Sequence, residues 1–370
     1  MHGRIVTPAG VLDGTLYTDN GIITKIEGTP VAESGFNPAG FTIVPAFIDL
    51  HNHGGFGGAF PTGTEEQARI AANFHRLQGT TTLLASMVSA PVEDLERQVR
   101  TLLPLCEEGL IFGIHLEGPY INACRCGAQN PEFILPGNPT DLARIVDVGQ
   151  GWIKSITLAP ETENLEELLD ICAAHNIIAS FGHTDADFDT TTSAIQAARQ
   201  RQVTVTATHL FNAMPPIHHR APGAAGALLA AARAGDAFVE LVADGVHLAD
   251  GTVDFARSDH AFFVTDAMEA AGMPDGTYIL GTLDVTVEQG IARLSEGGAI
   301  AGGTSTLAQQ FSWHVRRGMT LIDATSLTSA TASAVLGLSD HALREGNPVN
   351  FVVFDSSGQK IQVHQGNQVL

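Results

Sequence analysis

The chain has 370 residues, of which 44% are hydrophobic and 16% charged, a balance that excludes a disordered chain and leaves ample material for a buried core. Its net charge of −21, from 19 basic and 40 acidic residues, argues against nucleic acid or an anionic membrane as partner, because phosphate surfaces need clustered Lys and Arg.

The chain begins Met1-His2-Gly3-Arg4-Ile5-Val6-Thr7-Pro8. There is no apolar core of a signal peptide here, so the expected location is the cytoplasm. The longest apolar stretches, such as Ala224–Ala232, fall well short of a membrane span. Short, turn-punctuated runs at Gly3–Val6, Val11–Tyr17 and Gly21–Glu27 read as strands, and Asn350–Phe354 and Lys360–His364 have the same character. Both termini are therefore expected to form one small β-sandwich domain, residues 1–42 and 346–370.

Between them, eight apolar, β-branched runs recur: Ile43–Ile48, Thr80–Ala85, Ile111–Leu116, Ile153–Leu158, Ile177–Phe181, Val203–Thr208, Phe238–Ala243 and Ala261–Thr265. Near-continuous apolarity suits parallel strands buried on both faces. They alternate with helical segments at Glu65–Leu77, Val92–Glu107, Asp141–Val148, Leu165–His175, Ala186–Gln200, Ala224–Ala234 and Asp250–Arg257. Ser89 and Asp187 are candidate helix caps. The pattern predicts an α/β fold, a (β/α)8 TIM barrel over residues 43–345. Tyr278–Leu294 reads as a hairpin inserted after the eighth strand. An open doubly wound sheet would alternate in the same way, but it does not account for what stands at the strand ends.

Six of the eight runs end in a His or a carboxylate: His51 and His53, Glu117, His183, His209, His247 and Asp266. Barrel active sites occupy that rim. His51 and His53 stand two apart on an extended chain, so both point to one side. Glu117, His183 and His209 supply the three protein ligands typical of a catalytic zinc-like site. His51 and His53 are then surplus to one ion and raise the possibility of a second. Mixed imidazole and carboxylate donors suit Zn, Fe or Mn, one or two divalent metal ions per subunit. His115 shares a strand face with Glu117 and is read as a residue that holds a ligand in place. Asp266 beside such a centre can take a proton from water and return it to a leaving amine, which makes it the candidate catalytic acid and base. Arg220, in the local basic cluster Ile217-His218-His219-Arg220, is suited to an anionic group on a substrate. Cys106, Cys124, Cys126 and Cys172 are too few for a disulfide framework and read as reduced thiols.

The segments Pro45-Ala46-Phe47-Ile48-Asp49, His115-Leu116-Glu117-Gly118-Pro119, Gly182-His183-Thr184, Thr208-His209-Leu210-Phe211-Asn212-Ala213-Met214, Val242-Ala243-Asp244-Gly245-Val246-His247 and Val264-Thr265-Asp266-Ala267 together resemble the amidohydrolase superfamily. Within it they are similar to the N-acetylglucosamine-6-phosphate deacetylase family, over nearly the whole chain. The resemblance implies a metal-dependent hydrolase that releases acetate from an N-acetylamino sugar phosphate, with Glu117, His183 and His209 on the main metal and Asp266 as acid and base. It implies substrate contacts from Asn212, Ala213 and His247. Arg220 matches a phosphate-binding position supplied across a homodimer interface. Gln129 stands where the family usually has a His that polarises the amide carbonyl. An amide still donates a hydrogen bond but carries no positive charge. Other readings remain open at this point: a deacetylase of another N-acyl hexosamine phosphate such as N-acetylgalactosamine-6-phosphate, a hydrolase of a non-phosphorylated amide, or a barrel that has lost its chemistry. Against the second, the fourth strand ends Thr157-Leu158-Ala159-Pro160, without the Lys that often bridges two metals in such enzymes.

Overall fold

Eight strands alternate with helices along the chain: Phe47–Asn52, Thr80–Met87, Gly113–Glu117, Ile153–Leu158, Ile178–Phe181, Val205–Ala207, Phe238–Leu241 and Ala261–Phe263. In the computed structural model, which describes residues 1–370, they form one eight-stranded sheet whose spatial order follows the chain. Neighbours such as Ile153–Leu158 and Ile178–Phe181 pair in parallel. The sheet closes on itself beyond the last strand. There the Asp266 N–H donates to the His51 carbonyl at 2.9 Å, and the His53 N–H donates to the Ala267 carbonyl at 2.7 Å. The fold is a (β/α)8 barrel.

Every residue of Gly113–Glu117 and of Ile178–Phe181 is buried, as expected of strands covered on both faces. Several of the polar side chains inside are paired with one another. Ser86 Oγ meets His115 Nδ1 at 2.9 Å, His115 Nε2 meets Thr157 Oγ1 at 2.9 Å, and Thr208 Oγ1 lies 2.9 Å from Thr157 and 2.6 Å from Ser180. Most buried hydroxyls and imidazoles in an apolar core are satisfied in this way.

The helices follow their apolar spacing. Val92–Glu107 buries Val92, Leu95, Val99, Leu102 and Leu105 on one stripe, each such side chain contributing about 1.5–3 kcal/mol. Asp187 caps Phe188–Gln200, accepting the Thr190 N–H at 2.8 Å. Ser89 does not cap a helix. Pro91 precedes Val92 instead, and the Ser89 N–H is taken by Gln129 Oε1 at 2.7 Å. The insertion after the eighth strand is a three-stranded antiparallel sheet, Gly276–Leu280, Leu283–Glu288 and Ile291–Leu294, one strand more than the expected hairpin.

The termini build one seven-stranded sheet. Its spatial order is Gln368–Val369, Lys360–Gln365, Asn350–Phe354, Thr42–Pro45, His2–Thr7, Gly10–Asp19 and Ile22–Pro30. Ile5, Leu16, Ile23, Ile43, Phe351 and Val353 form its core. The run Ile43–Ile48, read as one strand, is two. Thr42–Pro45 pairs with Asn350–Phe354, and the barrel strand starts afresh at Phe47, because Pro45 has no N–H with which to continue a ladder. Packing groups Met1–Asp49, Phe74–Thr82 and Thr306–Leu370 in one compact unit, and Leu50–Asn73 with Leu83–Ser305 in the other. The first unit includes helices between Leu307 and Val335 that the sequence pattern left unassigned. No helix is long and apolar enough to cross a membrane. All four cysteines are free.

Candidate active site

At three strand ends the chain leaves extended geometry abruptly. His183, His209 and Asp266 sit at φ +46°, +27° and +48°, the left-handed region that costs a non-glycine residue about 1–2 kcal/mol. The turn swings each side chain over the barrel mouth instead of out along the strand. Gly182 lets two of these turns approach. A Cβ there would stand 2.6 Å from Thr208 Cβ, on the strand end that carries His209.

The side chains converge as two groups. In the first, Glu117 Oε1 lies 3.0 Å from both His183 Nε2 and His209 Nε2, which are themselves 3.0 Å apart. In the second, His51 Nε2 and His53 Nε2 are 3.1 Å apart, and Asp266 Oδ1 lies 3.5 and 3.3 Å from them. Glu117 joins the two, since its Oε2 lies 3.3 Å from His53 Nε2. All six residues are buried.

The opposite ring nitrogens explain the orientation. His183 Nδ1 is 2.8 Å from the Arg125 carbonyl, and His53 Nδ1 is 3.2 Å from the Ser86 carbonyl. A carbonyl accepts only, so each Nδ1 carries the proton and each Nε2 turns a lone pair inward. His209 Nδ1 is buried without a partner. Inward-facing lone pairs of two imidazoles and a carboxylate, about 3 Å apart, repel one another unless a cation lies between them. Three nitrogen and oxygen donors at this spacing match the edge of a tetrahedron with bonds of about 2.0–2.1 Å. Both groups therefore fit a divalent ion by donor type, number and spacing.

The electrostatics agree. Burial works against the ionised form of Asp266 and Glu117, but the neighbouring histidines hold both carboxyls below the usual range. Burial likewise opposes charge on His51, yet Asp266 and Glu117 raise its pKa well above that of a free imidazole, the same pull toward positive charge that a bound cation would answer in place of the proton. His115 is the opposite case: burial, reinforced by His51, keeps it neutral. It touches Ser86 and Thr157 and is no part of either group.

Around the two groups His53, Glu117, Gln129, His183, His209, Asn212, Ala213, His247 and Asp266 all border one cavity of about 280 Å³. Asn212 and Ala213 lie on the turn after His209, where Asn212 Nδ2 donates to the His209 carbonyl at 3.0 Å and Ala213 sits at φ +52°. His247 is held by Asp244 at 2.9 Å and approaches Asp266 Oδ2 at 3.6 Å. Gln129 is tied at both ends. Its Oε1 accepts from Ser89, so its Nε2 must face Glu117 Oε2, 2.5 Å away. Arg220 is not in this cavity. It is exposed, 2.7 Å from His219 Nε2, on a separate surface depression with Arg125 and Asp185.

The sequence model of the amidohydrolase family matches residues 42–367. The chain belongs to the amidohydrolase family. It is 33% identical over 368 residues to N-acetylglucosamine-6-phosphate deacetylase of Bacillus subtilis (strain 168), covering 95% of this chain and 89% of that protein. It is 29% identical over 363 residues to N-acetylgalactosamine-6-phosphate deacetylase of Escherichia coli O157:H7, covering 95% and 94%. Among solved structures, an aspartate-to-alanine mutant of N-acetyl-D-glucosamine-6-phosphate deacetylase from Mycobacterium smegmatis, in complex with N-acetyl-D-glucosamine-6-phosphate, superposes with a TM-score of 0.91 at 35% identity, over 100% of this chain and 97% of that one. As a member of this metal-dependent family, the chain carries an amide-hydrolase fold with its His and carboxylate groups in place.

One buried residue of the site has no counterpart in the sequence reading. Glu240, in the apolar strand Phe238–Leu241, is 3% exposed, and its Oε2 lies 3.1 Å from His51 Nδ1. The signal was present in the sequence as a carboxylate inside Phe-Val-Glu-Leu, where a strand buried on both faces has no place for an unpaired charge.

Proposed function

We propose that this chain is a metal-dependent deacetylase that hydrolyses N-acetylglucosamine-6-phosphate to glucosamine-6-phosphate and acetate. The observation that carries the reading is the triangle of Glu117, His183 and His209 facing Asp266 across one cavity. Its support from outside the chain is the deacetylase named for each of the relatives above. Glu117, His183 and His209 would hold the main ion, and His51 and His53 with Asp266 a second, with Zn, Fe or Mn suited to the donors. A divalent ion bound there supplies Lewis acidity toward the amide carbonyl and toward water.

The chain's own residues do the rest. Asp266 is buried yet ionised, so it accepts a proton from water and passes it to the amine as the carbon–nitrogen bond breaks. Asn212, Ala213 and His247 line the cavity beside it and take the sugar. Gln129 spends one amide hydrogen on Glu117 and offers the other to the acyl oxygen. Arg220, exposed and outside its own cavity, would reach the phosphate in the partner's site of a homodimer. In this reading residues 43–345 are the catalytic barrel, residues 1–42 and 346–370 the small β domain, and the enzyme works in the cytoplasm without nucleic acid or membrane as partner.

Acetate release from N-acetylglucosamine-6-phosphate, measured beside the unphosphorylated sugar, tests the reading. The phosphorylated sugar is expected to be the better substrate by kcat/KM. Arg220→Ala is expected to raise KM for it by about 10- to 100-fold, the equivalent of one lost charge-assisted hydrogen bond of about 1.5–3 kcal/mol, and to leave the unphosphorylated sugar unaffected. Equal turnover of both sugars would remove the phosphate from the substrate. The relative from Escherichia coli O157:H7 makes N-acetylgalactosamine-6-phosphate the second substrate to assay, since the two differ only at one hydroxyl.

A further inference from the structure

The carboxylate of Glu240 has two tasks in the structure. Its Oε2 lies 3.1 Å from His51 Nδ1 and also accepts the backbone N–H of His209 at 3.0 Å. His51 belongs to one group of donors and His209 to the other, so a single buried oxygen touches both. His51 is completely buried, packed edge-on against the His115 ring at 4.7 Å and stacked on the His209 ring at 5.4 Å. Its ring plane is therefore set by packing, but its proton is not. A neutral imidazole carries one N–H, and it presents a lone pair on Nε2 only if that proton sits on Nδ1. An ionised carboxylate at Nδ1 forces this choice and makes Nε2 a stronger donor.

The other inward-facing histidines with a partner on Nδ1, His53 and His183, use backbone carbonyls. Those acceptors come with any sequence. The acceptor for His51 is a side chain, and so can be gained or lost by one substitution. The geometry points to Glu240 as the positioning residue that makes His51, His53 and Asp266 a working cation site, and so decides that this chain takes two ions instead of one. The inference rests on the metal-dependent reading above. Glu240 touches no substrate.

The test is a metal titration of the full chain, stripped with chelator and reloaded with Zn(II) and, separately, with Co(II). Wild type is expected to take two ions. Glu240→Gln keeps an acceptor for the His209 N–H but removes the charge behind His51. It is expected to retain one tight ion and to bind the second 10- to 100-fold more weakly, with the Co(II) absorption of one site lost and that of the other kept. In a His51→Asn background, Glu240→Gln is expected to change the second affinity no further. Should Glu240→Gln fail to fold, as judged by circular dichroism, Glu240→Asp decides the question in the same way, since its shorter side chain withdraws from Nδ1. Two unchanged ions in the folded variant would overturn the inference, as would an equal loss of both ions, an additive double mutant, or a wild type that binds only one. Acetate release separates the two readings. A wild type with two ions and no deacetylase activity would sink the proposed function and leave Glu240's role standing.

Discussion

Replacing Asp266 with Asn is expected to lower acetate release by about 10²- to 10⁴-fold, the span typical for losing a positioned general acid–base. Asn is the informative replacement for a structural reason. Asp266 sits at φ +48°, a conformation that Asn adopts more readily than other side chains. The backbone bonds that fix it, its N–H to His51 and its carbonyl to Gly303, do not involve the side chain. The fold should therefore survive, and KM should change little, because Asn212, Ala213 and His247 remain. What is lost is the ability to take a proton, together with one anionic donor to the second ion. The check is kcat at saturating substrate, with metal content measured on the same sample. Wild-type turnover by a metal-loaded Asp266→Asn protein would take Asp266 out of the chemistry.

His183→Asn is expected to strip the Glu117 group of its ion and to reduce kcat/KM by about 10²- to 10³-fold, the equivalent of several kcal/mol of carbonyl polarisation. His183 also lies at positive φ, +46°, so Asn again preserves the turn. It cannot span the 3.0 Å contacts that His183 Nε2 makes with Glu117 and His209. Affinity for the ion should fall by more than the roughly 10- to 100-fold typical of losing an outer partner, and excess metal should restore part of the rate. The measurement is metal stoichiometry beside turnover across a range of added ion. Full occupancy with normal turnover would show that this triangle is not the centre.

The barrel was legible because its strands are buried on both faces and so are written as unbroken apolar runs. Six of those runs end in residues that such a strand does not carry without a reason. The convergence of Glu117, His183 and His209 followed from that placement alone, since strand ends of a closed barrel meet at one mouth. Glu240 was not legible in the same way. It stands inside a strand, and its partner His51 is 189 positions distant, a pairing that only the closed sheet reveals. The split at Pro45 was missed because two strands belonging to different sheets abut without a polar break. Ser89 has the residue type of a cap, but Pro91 stands at the start of the helix and the Ser89 hydroxyl turns to the Glu117 carbonyl instead. Arg220 reads from sequence as part of a basic cluster, yet its distance from the cavity of its own chain depends on where the loop after His209 runs, and loop paths are not encoded in periodicity.

The spacing of the converging donors has one more consequence. Glu117 and His209 are 92 positions apart in the chain, and His51 and Asp266 are farther still. An unfolded chain offers no such constellation, so an ion seated there acts as a clasp across the barrel that exists only in the native state. By mass action, an ion at a hundredfold excess over its dissociation constant adds about 2.7 kcal/mol to the free energy of unfolding. The melting temperature of this protein is therefore expected to rise with the supply of divalent ion, which thermal unfolding of the chelator-treated and reloaded chain would measure.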